Sequence, residues 1–495
     1  MIFDKSRTID AMSTRQIASS TLWQFSSQIA MAALSIVTVK LVAIGLSIEL
    51  AGNYNTAYGY LQIFGILADF GLYAVSVREV ARAKDRAIIL GNLMTLRAII
   101  VAISLGSALL VAWTIPHWQG TPLPLAITIA AFVPGFTLLA GILRTIFQVE
   151  YRLHYVFIAE VTHRLVSVSL TALAVWWAFR NSTDVRALYV LLACGGIGSI
   201  TLFILSVIFS RRLIPVRPRW DPAIMKHLLR LCAPYGLAFL CVSLYRQFDV
   251  TLIGLLRPND YELQNAHYGF VQRMMDMAYL LPTFLLNSTL PILSERDAKG
   301  TDTRDFLGKI LLAILLVGII SALFSALWSR PLMQMLTTNQ YLSTATSPGS
   351  DTALRLLSVS MLMNGLLTFS FYVLLTKHRW RPLVMTLMIG VVLSLVSNFL
   401  LIPTWGFVGA ATTSIIVHVT LAVLLLPQAL RAMPARISGA MFLQWITFSL
   451  LLLGFLVVAQ PLLRNSLMTA GMLIVATLWM GICVWVTGLA KMLRI

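Results

Sequence analysis

Two pairs of opposite charges sit where charges are expensive. Arg246 and Asp249 lie in one long apolar run and Arg273 and Asp276 in the next, each pair spaced Arg-x-x-Asp. Residues three apart share a face of a continuous helix, so each pair can present both charges to one side. A charge at bilayer depth costs about 3 kcal/mol or more, so it faces a partner or a wet cavity. Further charges inside apolar runs are Lys40, Asp69, Glu160 and Arg164. Arg246, Arg273, Lys40 and Arg164 can hold an anion, whereas Asp249, Asp69, Asp276 and Glu160 can take up a coupling proton or cation or pair with the basic residues. Four basic groups against four acidic ones can also neutralise each other with no ligand present, and the residues alone leave that alternative open. His163, one turn from Glu160, is a candidate proton relay. His418, in an apolar stretch, reads as a hydrogen-bonded packing residue.

The elements that must position these groups are membrane spans. Of 495 residues, 58% are hydrophobic and 11% charged, with a mean hydropathy of +0.84. A soluble domain carries roughly a quarter charged residues, so the composition predicts an all-α polytopic membrane protein. Apolar runs near the ~20 residues needed to cross a bilayer begin close to residues 17, 54, 88, 122, 155, 187, 232, 266, 306, 352, 382, 405, 438 and 467, which makes fourteen. A tight turn is expected at Pro403-Thr404-Trp405-Gly406. The first run is too long for a signal h-region and no cleavage pattern follows it, so it is expected to be retained. Cys194, Cys232, Cys241 and Cys483 fall in or beside apolar runs without paired spacing and read as packing residues, with no disulfide framework or metal site expected.

The basic residues give an orientation. With the N-terminus inside, twenty-seven of the 37 Lys and Arg fall on cytoplasmic segments, six on the other side and four within spans. That alternating bias predicts both termini in the cytoplasm. It also removes the nucleic-acid reading of the formal charge of +18, because the basicity is spread over eight short segments. The expected organisation is residues 1–210 as a first six-helix lobe, 211–231 as a cytoplasmic linker, 232–430 as a second lobe, and 431–495 as two further helices. A weak repeat crosses the linker: Val39 to Leu46 resembles Phe248 to Leu255, which sets Lys40 opposite Asp249. Transporters built from repeats hold their substrate between the halves near the midplane.

Chemistry in a soluble domain is not expected, because the links are short. The longest external link, Arg330 to Ser350, has no cluster of catalytic acids such as a membrane glycosyltransferase or polymerase would need. No G-x-x-x-x-G-K-[ST] loop is present. The sequence therefore predicts a transporter rather than an enzyme, with no cofactor.

Several motifs carry a family resemblance. Ser20-Thr21-Leu22-Trp23, Gly52-Asn53-Tyr54 and Asp69-Phe70-Gly71-Leu72 followed by Arg78 occur near the start. Pro234, Asp249, Ile253-Gly254, Tyr268, Pro282 and Leu290-Pro291-Ile292-Leu293-Ser294 follow in the middle. The most specific is Asn398 to Thr412, with Pro403, Gly406 and Gly409. In their order and spacing they resemble the polysaccharide-biosynthesis flippases of the MOP (MATE-like) superfamily, the Wzx-type exporters of lipid-linked oligosaccharides, over most of the chain.

The resemblance implies two pseudo-symmetric six-helix lobes plus two C-terminal helices, alternating access, and a polyprenyl-pyrophosphate-linked glycan as substrate in the bacterial inner membrane. The pyrophosphate would need Arg or Lys, for which Arg246, Arg273, Lys40 and Arg164 are the candidates. Gln28, Gln247, Gln272, Asn287, Asn364 and Tyr245 suit the sugars. Membrane lipids, a coupling H+ or Na+ and glycan polymerase machinery are the further partners it implies. Two neighbouring readings are a lipid II flippase and a MATE-type cation-coupled exporter; the latter expects a more acidic or apolar cavity than this balance of charges.

Overall fold

The computed structural model describes residues 5–214 and 216–492. Side chains are described from Trp23 on, except at 24, 25, 74, 234, 284, 287, 288, 290–292, 294, 295, 297, 298, 491 and 492. The expected sugar contact at Asn287 thus involves a side chain outside the described residues. A chain in hydrocarbon must satisfy its backbone internally, and here it does so with helices throughout. The chain divides into two compact units, Met1–Ser243 and Leu244–Ile495.

The first unit comprises α1 (Lys5–Gly45), α2 (Ile48–Asp69), α3 (Leu72–Arg82), α4 (Arg86–Thr114), α5 (Leu123–Ala130), α6 (Phe132–Val149), α7 (Leu153–Trp177), α8 (Val185–Arg211) and most of α9 (Pro222–Gln247). α7 packs on α1 and α8, α6 on α8, and α2 on α4 and α5. Apolar residues one helical turn apart make its core: Leu72 and Val75 of α3, Leu90, Leu93 and Leu96 of α4, Ile142 and Ile146 of α6, and Leu228 and Cys232 of α9. The turn from α2 to α3 places both Phe70 and Gly71 at positive φ (39° and 70°). A Cβ on Gly71 would come within 2.8 Å of Tyr235 Cβ, so the α2–α3 turn can lie against α9 only with glycine there.

The second unit continues with α10 (Asp249–Leu256), α11 (Tyr261–Ala298), α12 (Arg304–Leu327), α13 (Ser329–Leu336), α14 (Ser350–Thr376), α15 (Trp380–Trp405), α16 (Phe407–Ala432), α17 (Gly439–Ala459) and α18 (Ser466–Val486). α14 is its centre, packed on α11, α12 and α16. The reversal between α15 and α16 is made by Gly406, at φ 57° and ψ −134°, while Pro403 continues α15 through its last turn. A Cβ on Gly406 would collide with Gln264, whose Oε1 accepts from Phe407 N at 2.9 Å. A Cβ on Gly409 would collide with the Leu401 carbonyl. These contacts give a physical reason for glycine at both positions of the Asn398–Thr412 motif.

Each of the fourteen apolar runs lies in one helix or a consecutive pair of helices. Among the described residues, eleven helical spans are long and apolar enough to cross a membrane alone, and α9, bent by 50°, makes a twelfth. Of the other two runs, α2 carries buried Asn53, Asn55 and Thr56, and α11 carries Arg273 and Asp276. The outer surface is apolar: Trp176 is 87% exposed, Leu467 82% and Val458 78%. Such a skin needs a lipid solvent. The chain is an all-helical, polytopic membrane protein.

Candidate functional site

The charged residues singled out from the sequence gather into separate clusters within the two units. In the second unit, α9 ends at Gln247 and α10 starts at Asp249, so Arg246 and Asp249 do not share a continuous helix face. The local Arg246–Asp249 pairing expected from spacing is replaced by one across helices: Arg246 Nη2 lies 3.2 Å from Asp276 Oδ1 of α11. The guanidinium also covers the Tyr279 ring, with Cζ 4.4 Å from its centroid, a cation–π arrangement. Gln272 donates from Nε2 to the Arg246 carbonyl at 2.9 Å, which ties α11 to the end of α9. Arg246 Nε is buried without a hydrogen-bond partner, and the side chain remains 20% exposed. Arg273 lies one turn before Asp276 on α11.

Behind Tyr279 stands His418 of α16. Its Nε2 is 3.5 Å from the Tyr279 hydroxyl, its Nδ1 is 2.7 Å from the Ser414 carbonyl, and its ring meets Tyr245 edge-on. His418 is thus a buried, hydrogen-bonded residue, the role expected for it, and it adjoins the tyrosine that carries Arg246. Asp249 is held differently. Tyr268 donates to its Oδ2 at 2.8 Å and Asn398 Nδ2 to its Oδ1 at 2.8 Å. No Lys or Arg among the described residues forms an ion pair with it. Asn398, which donates to this carboxylate through Nδ2, has a buried Oδ1 that lacks a hydrogen-bond partner. Among the described residues, the carboxylate is held by the dipoles of Tyr268 and Asn398. Buried Asn364 of α14, an expected sugar contact, likewise has an Nδ2 without a partner.

The first unit resolves its charges into ion pairs. Asp69 Oδ1 binds Arg97 Nη2 at 2.6 Å, and the same guanidinium donates to the carbonyls of Asp69 at 3.1 Å and Leu138 at 3.1 Å. Arg97 is only 2% exposed and caps the carbonyl end of α2. Asp69 therefore has a structural partner. Glu160 pairs with Arg144 at 2.7 Å and accepts from Ser27 Oγ at 2.5 Å, so its partner is Arg144 rather than Arg164 one turn along α7. Arg164 Nη2 donates instead to Ser35 Oγ of α1 at 3.0 Å. Arg144 and Glu160 line a small cleft of about 70 Å³ together with Thr137, Gly141, Phe147 and Ser206. Buried His163 packs beneath Gly198, where no Cβ would fit. Lys40 and Gln28, both on α1, are half-buried.

Spacing within one helix could not disclose these partnerships. Arg97 and Arg144 carried a signal, since each is a basic residue flanked by apolar ones a turn or more inside a span. Tyr279 and His418 carried none until α11 and α16 were brought together.

Residues 17–297 match the family described as "Polysaccharide biosynthesis protein". The chain belongs to that family. No curated protein matches the sequence. Among solved structures, this chain is similar to the lipid II flippase MurJ in an inward closed conformation, with 14% identity and a TM-score of 0.71 over 94% of this chain and 98% of that one. It is also similar to an inward-facing multidrug resistance MATE family transporter of the MOP superfamily, with 12% identity and a TM-score of 0.61 over 83% and 98% of the two chains. A third likeness is to the MATE multidrug transporter DinF-BH: 16% identity, TM-score 0.56, 85% and 97% covered. At these identities the likeness establishes the fold; function has to come from the site.

Proposed function

We propose that this protein is a flippase that moves a polyprenyl-pyrophosphate-linked oligosaccharide from the cytoplasmic to the external leaflet by alternating access. It works in a bacterial cytoplasmic membrane with both termini inside. The observation that carries the proposal is Arg246. Its guanidinium is partly open, rests on the Tyr279 ring and has one carboxylate partner at 3.2 Å, with a buried Nε still unpartnered. A guanidinium binds phosphate oxygens through several parallel donors, and one carboxylate leaves part of that fork for a second anion. Arg273 on the next turn of α11 adds charge, and Lys40 and Arg164 are the anion candidates of the first unit. The amides of Gln247, Gln272 and Asn364 and the hydroxyl of Tyr245 suit sugar hydroxyls. The glycan polymerase machinery takes the product.

Asp249 is the coupling carboxylate in this reading, for H+ or Na+. It is buried, lacks a basic partner among the described residues and is held by Asn398, whose Oδ1 has no hydrogen-bond partner. Asp276 balances Arg246, whereas Asp69 and Glu160 serve the first unit's own ion pairs.

The MurJ likeness supports lipid II as a second reading. Transport by the purified full chain in liposomes separates the two. Labelled polyprenyl-pyrophosphate oligosaccharide should cross to the opposite leaflet faster than in empty vesicles, and faster than labelled lipid II. Movement of lipid II alone would favour the second reading, and movement of neither would overturn both.

A further inference from the structure

The segment after α8 is not an idle connection. Arg219 N donates to the Gly91 carbonyl in the second turn of α4 at 3.2 Å, and Asp221 N donates to Asn92 Oδ1 at 2.8 Å. A Cβ on Gly91 would lie 2.3 Å from the Arg217 carbonyl, so the strap crosses α4 only because glycine is there. The Asp221 carboxylate is occupied by the N–H groups of Ala223 and Ile224 at the start of α9. This backbone frame holds Arg211, Arg212, Arg217 and Arg219 outward, and the first turns of α9 add Lys226 and Arg230. All six are exposed, and none forms an ion pair among the described residues. Between them stands Trp220, 67% exposed.

The second unit repeats the device: Arg436 N donates to the Arg304 carbonyl at 2.9 Å, and a Cβ on Gly308 of α12 would collide with the Arg436 carbonyl. In both units a basic strap crosses the start of a span over a glycine. An open Trp amid basic side chains, directly after a span, has the chemistry of a membrane interface carrying negative charge.

We infer that residues 211–214 and 216–230 form a prebuilt docking surface for anionic phospholipid headgroups, with Trp220 set into the interface and Arg217 and Arg219 on the phosphates. Charge selects the occupant: six cations face outward, and the nearest carboxylate in the segment, Asp221, is already used as a helix cap. Attraction at such a surface falls off within a Debye length, about 8–10 Å at ordinary salt, so the binding is salt-sensitive. The inference rests on the membrane fold and not on which lipid-linked substrate is carried.

The test uses the full chain in nanodiscs that contain either brominated phosphatidylglycerol or brominated phosphatidylcholine at equal mole fraction. The Trp220 contribution is the fluorescence of the wild type minus that of Trp220→Phe. Brominated phosphatidylglycerol should quench that contribution about twofold more than brominated phosphatidylcholine, and the excess should vanish in Arg217→Gln/Arg219→Gln. Added salt should shrink the same excess in the wild type, which keeps the test decisive if the double variant does not fold. Equal quenching by both lipids would overturn the inference. Quenching by neither would also overturn it, because the segment would then stand off the bilayer and suit a soluble acidic partner.

Discussion

Arg246 is ion-paired with Asp276, thirty residues further along the chain, and not with Asp249, three residues away. The break between α9 and α10 at Phe248 separates the two neighbours. As a result, Asp276 balances an arginine, whereas Asp249 forms no ion pair among the described residues.

Asp249 is held by the Tyr268 hydroxyl and the Asn398 amide, both of which can also bond a neutral side chain. Asp249→Asn should therefore fold and keep its place while losing the charge proposed to bind a coupling cation. In liposomes the variant should show the same slow transport with and without an imposed Na+ or H+ gradient, whereas a gradient should speed the wild type severalfold. Undiminished acceleration in the variant would remove Asp249 from coupling.

Arg97 is a structural cation. Truncating one partner of a fully buried pair costs about 3–5 kcal/mol; Asp69 is 35% exposed, so water partly compensates its charge and the cost of losing the ion pair alone is smaller. Arg97→Ala would also uncap the α2 carbonyls. It should lower the unfolding temperature in detergent strongly and reduce the amount of protein in the membrane. Asp69→Asn, which leaves the carbonyl bonds in place, should cost less. A normal melting temperature for Arg97→Ala would contradict this role.

Much of the fold was legible in the sequence, because a bilayer tolerates few backbone solutions and each apolar run had to become a helix. The Asn398–Thr412 motif held more than a fold signature: Asn398 bonds Asp249, and Gly406 and Gly409 mark places where a side chain cannot fit. Partnerships were less legible. Arg-x-x-Asp spacing describes a continuous helix, and α9 stops one residue after Arg246. The approach of Tyr279 and His418 to Arg246 depends on how α11 and α16 pack, for which a single sequence has no local signal.

At the link between α10 and α11, Arg257 binds Asp260 through Nε at 2.8 Å and Nη2 at 2.6 Å, and its Nη1 reaches the Pro403 carbonyl at 2.8 Å. These hydrogen bonds from Arg257 hold the Asp260 carboxyl below the usual carboxylate range. A lowered folded-state pKa contributes stability above the unfolded value, about 3.9. That contribution is lost as pH falls through the lower folded value. Melting temperature should thus fall below about pH 4 more steeply in the wild type than in Asp260→Asn. Parallel acid limbs for the two proteins would contradict the assignment.

The most direct test of the anion handhold is surface glycan export by cells that carry Arg246→Ala or Arg246→Lys, with the amount of membrane-inserted protein measured alongside. The flippase mechanism predicts that Arg246→Ala abolishes export at normal protein abundance and that Arg246→Lys, which keeps the charge but loses the planar fork, retains part of it. Wild-type export by Arg246→Ala at equal abundance would contradict the mechanism.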